Sequence, residues 1–284
     1  MSKDKFLFNQ ITIIGVGLIG GSLGMAVKKN RLAKKVVGFA RKKKTMRQAL
    51  KSKAIDKGTL NLKEAVKDAD LIVLATPAQT IIELAFKIAK LAKKDCIVTD
   101  VGSSKLRIVS SLEKILPKNM KFIGAHPLAG SEKKGVEFSC ADIFKKSLCI
   151  LTPTSKTKKD AFDKVKKLWA GVGACVKTLS PSEHDRVLAY ISHLPHIIAF
   201  SLIQSIPDEF LELSPRGLKD MTRIASSDPI LWRDIFSSNK TQVLDAVGDF
   251  ASSLEKFVKL VGSNDTAKLT KILSAIKNKR DKLE

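Results

Sequence analysis

The chain has 284 residues, 44% of them hydrophobic, and this length allows two domains with substantial cores. No unbroken run of ~18 apolar residues occurs, so no membrane span is expected. The net charge of +23 raises the question of nucleic acid, but the lysines are spread along the whole chain and base-stacking aromatics are few, with one Tyr and two Trp. A lysine-rich solvated surface is the expectation, with no nucleic-acid partner.

Residues 1–10, MSKDKFLFNQ, lack the apolar core and cleavage site of a signal peptide. The next stretch, ITIIGVGLIGGSLG at 11–24, organises the chain. Residues 11–14 read as a buried strand, and Gly15, Gly17 and Gly20 form G-x-G-x-x-G at the start of a helix over 17–30. Such a turn suits a dinucleotide. The first glycine permits the turn, the second admits the pyrophosphate to the backbone, and the third lets helix and strand pack closely. Leu18 and Ile19 lie in the same loop and join the expected cofactor set. Residues 34–39 read as the second strand. About 20 residues past the glycines, where a carboxylate would hold an NAD ribose, stand Ala40, Arg41 and Lys42. A guanidinium without a carboxylate favours the 2′-phosphate of NADP, with Arg41 as main contact and Lys42 in support, though NAD stays possible.

Helix follows over 45–53, a short helical connection over 60–69, and a strand over 70–75 that ends in Thr76-Pro77. Proline there stops the ladder and shapes the crevice where ligands bind. A helix over 81–92, a strand over 96–100, the loop VGSSK at 101–105 and a helix to 116 come next. The strand KFIGA at 121–125 delivers His126, and strands over 147–151 and 174–179 flank a helix over 158–171. The alternation predicts a doubly wound, mostly parallel, Rossmann-type nucleotide-binding domain over residues 1–180. Residues 181–284 read as all-helical, with a long first helix to 204 and further helices over 217–225, 229–237, 241–261 and 266–282. Long amphipathic helices of this kind often form a dimer interface. Cys96, Cys140, Cys149 and Cys175 have no C-x-x-C spacing and are expected reduced and buried, as in a cytoplasmic protein.

The histidines are His126, His184, His193 and His196. His126 stands at a strand end on the glycine-loop rim, where this fold places ligands. The other three fall on the first helix of the second domain, at spacings of nine and three that do not share one helical face, and no metal site is expected. Pro195 kinks that helix and is positioned to turn His193 or His196 inward. Arg223 and Arg233 are candidates for substrate carboxylates.

The segments GVGLIGGSLG, TDVGSSK, GAHPLAGSEKKGVE, LTPT, HDRVLAYISHLPH and KDMTRIASSDPILWRDI, in this order, closely resemble the prephenate/arogenate dehydrogenases of tyrosine biosynthesis. The likeness runs from about residue 10 to 261. It implies oxidative decarboxylation of a cyclohexadienol and a helical domain that forms an intertwined homodimer. The family's catalytic histidine falls on His126, which accepts a hydrogen bond from the ring hydroxyl as hydride leaves the same carbon. Its active-site serine falls on Ser103. Its substrate-binding arginine falls on Arg223, and His196, His193 and Glu132 match residues of the pocket. Many relatives carry an acidic residue at the position of Ala40, so cofactor choice does not follow from the likeness. Prephenate and arogenate remain open, with a tilt to prephenate. The alternatives are a β-hydroxyacid dehydrogenase or imine reductase type of NADP enzyme, which would not need His126, and a non-catalytic NADP sensor.

Overall fold

β1 (Phe8–Ile14) and β4 (Leu71–Leu74) are buried at every position but Asn9, as strands covered on both faces must be, and β4 is apolar throughout. Successive side chains point to opposite faces. Ile11, Ile13, Leu71 and Val73 therefore join one core, and Ile14, Ile72 and Leu74 join another. The first core takes in Leu23 and Val27 of α1 (Leu18–Lys29) and Val165, Leu168 and Trp169 of α6 (Lys159–Gly171). The second takes in Ile81 and Ile88 of α4 (Ala78–Leu91) and Ile108 and Leu112 of α5 (Leu106–Ile115). These two layers make the sheet doubly wound. The computed structural model describes residues 6–131, 133 and 135–283.

The sheet has eight strands in the order β3-β2-β1-β4-β5-β6-β7-β8. The others are β2 (Ala33–Phe39), β3 (Lys57–Thr59), β5 (Ile97–Asp100), β6 (Lys121–Pro127), β7 (Leu148–Thr152) and β8 (Cys175–Thr178). The three-residue edge strand β3 carries no apolar run and has no sequence signature; it forms because Val37 to Phe39 of β2 lack a partner on that side. α2 (Lys43–Lys51) and α3 (Leu62–Val66) connect the edge. All pairs from β3 to β6 are parallel, while β7 runs antiparallel to β6. That pairing changes the position of His126. β5 pairs with β6 only as far as Ile123, and β7 then pairs with Gly124 to Pro127. The strand thus extends two residues beyond the predicted end, and His126 lies within it, opposite Ile150.

Past residue 180 no strand occurs among the described residues. Ser180 and Glu183 form a reciprocal capping box that starts α7 (Pro181–Leu188). A π-helical turn (Ala189–His193) separates it from α8 (Leu194–Ser205). Pro195 is the second residue of α8 in an otherwise continuous helix, and the wide π turn falls just before it, where the proline removes a helix hydrogen bond. α9 (Arg216–Thr222), a 3-10 turn (Arg223–Ser226) and α10 (Pro229–Ser238) follow. The chain divides by compactness into Met1–Asn239 and Lys240–Glu284. The second unit holds α11 (Lys240–Gly262) and α12 (Thr266–Arg280), whose Leu244, Leu254, Val258, Leu273 and Ile276 are exposed.

One expectation needs correction. Cys96 and Cys149 are buried, but Cys140 and Cys175 are exposed, because they lie at a turn and on the sheet's outer strand β8. The continuous helical segment Pro181–Ser205 is long and apolar enough to cross a bilayer by length and composition only, a test that a core helix of a soluble protein passes equally. Its scattered polar residues hide that property from a search for unbroken apolar runs, and two of them, His184 and Asp185, are buried within the protein.

Candidate active site

The glycine turn fits a dinucleotide. Gly15 has φ +96°, and a Cβ there would lie 2.4 Å from the Ala75 carbonyl oxygen, so only glycine permits β1 and β4 to end so close together. At Gly17 a Cβ would meet nothing within 4 Å. That open space is where a phosphate group needs to approach. Gly17 caps α1 without a side-chain hydrogen bond, so the first-turn N–H groups around Leu18, Ile19 and Gly20 face the same space. Thr76 follows β4, and its Oγ1 is buried with no protein partner, an orphan group suited to a ligand. Pro77 is the N-cap of α4. At the end of β2, Arg41 and Lys42 are exposed, with Lys42 as the N-cap of α2.

A buried ion pair fixes the neighbouring loop. Lys105 and Asp100 are fully inaccessible and bonded to each other. The Lys105 ammonium also donates to the Ala125 carbonyl at 2.9 Å, and Asp100 accepts from the N–H of Gly102 and of Ala125. The end of β5, the VGSSK loop and the residue before His126 thus share one polar knot. Ser103, the predicted catalytic serine, is half-buried on this loop.

His126 is 8% exposed, and its Nδ1 lies 2.9 Å from Nε2 of His184. His184 Nδ1 lies 2.8 Å from Oδ1 of Asp185. Asp185 accepts in turn from the N–H groups of Lys105 and Leu106, at 2.7 and 2.9 Å, capping α5. Asn239 donates to the Asp185 carbonyl at 2.7 Å and lies 3.2 Å from Nδ1 of His193. Burial holds His126 and His184 below the ordinary imidazole range, and each other's proximity and the Lys105 ammonium push His126 further the same way. His193 is pushed down to about 4, mainly by burial. All three are therefore neutral at pH 7. The sequence spacing put His184 and His193 on different helical faces, but the π turn between them changes the phase and both end up buried around Asp185.

His196 is half-buried, donates from Nδ1 to the Ser192 carbonyl at 2.9 Å and stacks on Trp232 with ring centroids 3.5 Å apart. Arg223 is exposed at the start of its 3-10 turn and close enough to His196 to depress its pKa, after the larger effect of burial. Arg233 carries an ion pair. Its guanidinium pairs with Asp234 at 2.7 Å, on a cleft lined by Pro77, Gln79, Ser104 and Arg107. Glu132 lies outside the described residues. Sequence reasoning did not single out His184, Asp185, Lys105, Asp100, Asn239 or Trp232. The adjacent pair His184-Asp185 was the available signal, because a carboxylate next to a histidine at a helix start is a ready orienting partner.

A doubly wound sheet, an open phosphate cradle and a neutral buried histidine on the same rim define a nicotinamide-dependent oxidoreductase. Comparison gives the family. Residues 23–178 match the nucleotide-binding domain of prephenate dehydrogenase, and residues 180–275 match its dimerization domain. The chain belongs to the prephenate dehydrogenase family. Prephenate dehydrogenase of Bacillus subtilis is 37% identical over 96% of this chain and 76% of its own. The cyclohexadienyl dehydrogenase of Zymomonas mobilis is 33% identical over 91% and 90%. The crystal structure of Aquifex aeolicus prephenate dehydrogenase with hydroxyphenyl propionate and NAD+ superposes with a TM-score of 0.91 at 36% identity, covering both chains fully. Synechocystis arogenate dehydrogenase gives 0.85 at 26%, over 97% of this chain and all of that one. The enzyme catalyses oxidative decarboxylation of a cyclohexadienol substrate of tyrosine biosynthesis, prephenate or arogenate, with a nicotinamide cofactor.

Proposed function

We propose that the substrate is prephenate, that NADP is the preferred cofactor, and that His126 is the group that draws the proton from the substrate's ring hydroxyl. The observation that carries the last point is the burial of a neutral His126 at the rim next to the VGSSK loop. A neutral imidazole can accept a proton, which is what a general base must do. The bound nicotinamide supplies the hydride acceptor. The chain's own task is to align the reacting carbon and stabilise charge at the hydroxyl, because loss of carbon dioxide makes the ring aromatic and drives the reaction. Ser103 orients the hydroxyl, Arg223 holds a carboxylate, and His196, His193 and Glu132 line the pocket. Gly15, Gly17, Leu18, Ile19, Gly20, Thr76 and Pro77 hold the cofactor.

The tilt to prephenate is supported by higher identity to prephenate dehydrogenases, at 37% and 36%, than to the arogenate enzyme, at 26%. NADP is supported by exposed Arg41 and Lys42 at the end of β2, where no carboxylate stands. We assign residues 1–180 to the nucleotide-binding domain and residues 181–284 to substrate binding and homodimer formation. The match to a dimerization domain and the exposed apolar residues of α11 and α12 support that. Four unpaired cysteines suit a reducing cytoplasm.

Initial rates with prephenate or arogenate, each with NAD or NADP, test the reading. Turnover with prephenate and NADP is expected. Turnover with NAD alone would discard Arg41 as the 2′-phosphate contact, and turnover with arogenate alone would reverse the substrate choice.

A further inference from the structure

We infer that His184 and Asp185 are positioning residues that fix His126 as its Nδ1–H tautomer and leave Nε2 bare for the substrate. The inference rests on His126 being the proton acceptor. It follows from hydrogen-bond polarity, traced from a fixed end. Both oxygens of Asp185 accept from backbone N–H groups, Oδ1 from Lys105 and Oδ2 from Leu106, and backbone N–H groups can only donate. The carboxylate is therefore an acceptor, and His184 Nδ1, 2.8 Å from Oδ1, carries a proton. A neutral imidazole has one N–H, so His184 Nε2 is bare. It sits 2.9 Å from His126 Nδ1, where two lone pairs would repel, so His126 Nδ1 carries the proton. His126 Nε2 is the nitrogen left to accept.

The other end of the chain is held as well. Asp185 cannot swing away, because its carboxylate caps α5 and its carbonyl takes the Asn239 amide. The groups facing His126 are Asp100 from β5, Lys105 from the β5–α5 loop, Cys149 from β7, His184 and Asp185 from α7, and His193 from the π turn. Lys105 disfavours a second proton on either imidazole of the resting enzyme, in line with burial. When the hydroxyl proton reaches Nε2, the new positive charge is shared through Nδ1–H with His184 and, behind it, the Asp185 carboxylate. The proton returns to the ring oxygen once carbon dioxide has left, so the relay ends unchanged.

With only four histidines, the tautomers are readable by ¹⁵N NMR of histidine-labelled enzyme near pH 7.5, with His126→Asn and His184→Gln used for assignment. The expected result is an Nδ1–H tautomer at both His126 and His184. An Nε2–H tautomer at His126 in the wild-type enzyme overturns the inference, and that readout needs no variant to fold. In kinetics, His184→Ala should lower kcat about 10- to 100-fold with KM little changed, and move the acid limb of the pH–rate profile. His184→Gln, whose amide oxygen accepts from Nδ1–H, should recover most of it. Wild-type kcat and an unmoved profile in His184→Ala would sink the relay while leaving His126 as acceptor. Near-full turnover in His126→Asn would remove the reading beneath it.

Discussion

Arg223 and Gly17 are single residues whose roles separate cleanly from folding. Arg223 is exposed and lies close enough to His196 to act on its charge. If it holds a substrate carboxylate, Arg223→Ala should weaken substrate binding by ~1.5–3 kcal/mol, the worth of a charge-assisted contact, with thermal stability unchanged. An unchanged KM for prephenate would remove it from the pocket. Gly17 lies opposite in character to Gly15, since a Cβ there meets no protein atom. Gly17→Ala should therefore leave stability within ~0.5 kcal/mol of wild type while raising the cofactor Kd by at least about tenfold. Titration of cofactor binding by fluorescence checks this. Equal affinity would mean that the open space is not the phosphate approach.

At the scale of elements, three pieces of backbone are joined by one buried pair. Lys105 and Asp100 tie β5, the VGSSK loop and β6 together. Removing the cation leaves Asp100 inside the protein without a counter-charge, so Lys105→Met should cost about 3–5 kcal/mol in denaturant unfolding. Replacing both partners, in Lys105→Met with Asp100→Leu, should recover much of that loss, because two well-packed apolar groups carry no desolvation penalty. Full stability in the single variant would show that the pair contributes nothing. The sequence made β5, β6 and α5 legible through their apolar runs, and it made the glycine turn legible through its spacing. It did not reveal the knot, because Asp100 reads as the last residue of a strand and Lys105 as an ordinary member of a loop until β6 is laid beside them. β3 was missed for the same reason: three residues, one of them Gly58, become a strand only by pairing with β2.

Over the molecule as a whole, buried neutral histidines make the fold sensitive to acid. His193 has a folded pKa of about 4 against a free value of 6.5. Between these values the unfolded chain binds a proton that the folded chain refuses, so stability falls as pH drops below about 6.5 and the loss levels off near pH 4. The displacement corresponds to roughly 3 kcal/mol for this residue. His126, His184 and His196 are shifted in the same direction and add to it. Urea midpoints at pH 7 and pH 4.5 should therefore differ less in His193→Gln than in the wild-type chain. Parallel changes in both proteins would rule out His193 as a source of the acid sensitivity.

The sequence by itself determined the doubly wound sheet, the glycine cradle, the switch to helix after Ser180 and the special position of His126. Each of these is written in local spacing, whether period-two or period-3.6 apolar patterns, turn residues or a motif within one strand and helix. Only the tertiary structure decided which groups surround His126. The antiparallel entry of β7 draws His126 into β6, and the π turn before α8 rephases His193 towards Asp185. Asp185 reaches 80 residues back in sequence to cap α5. Those contacts join residues far apart in the chain, and hydrogen-bond polarity acts only between atoms that the fold has already brought together.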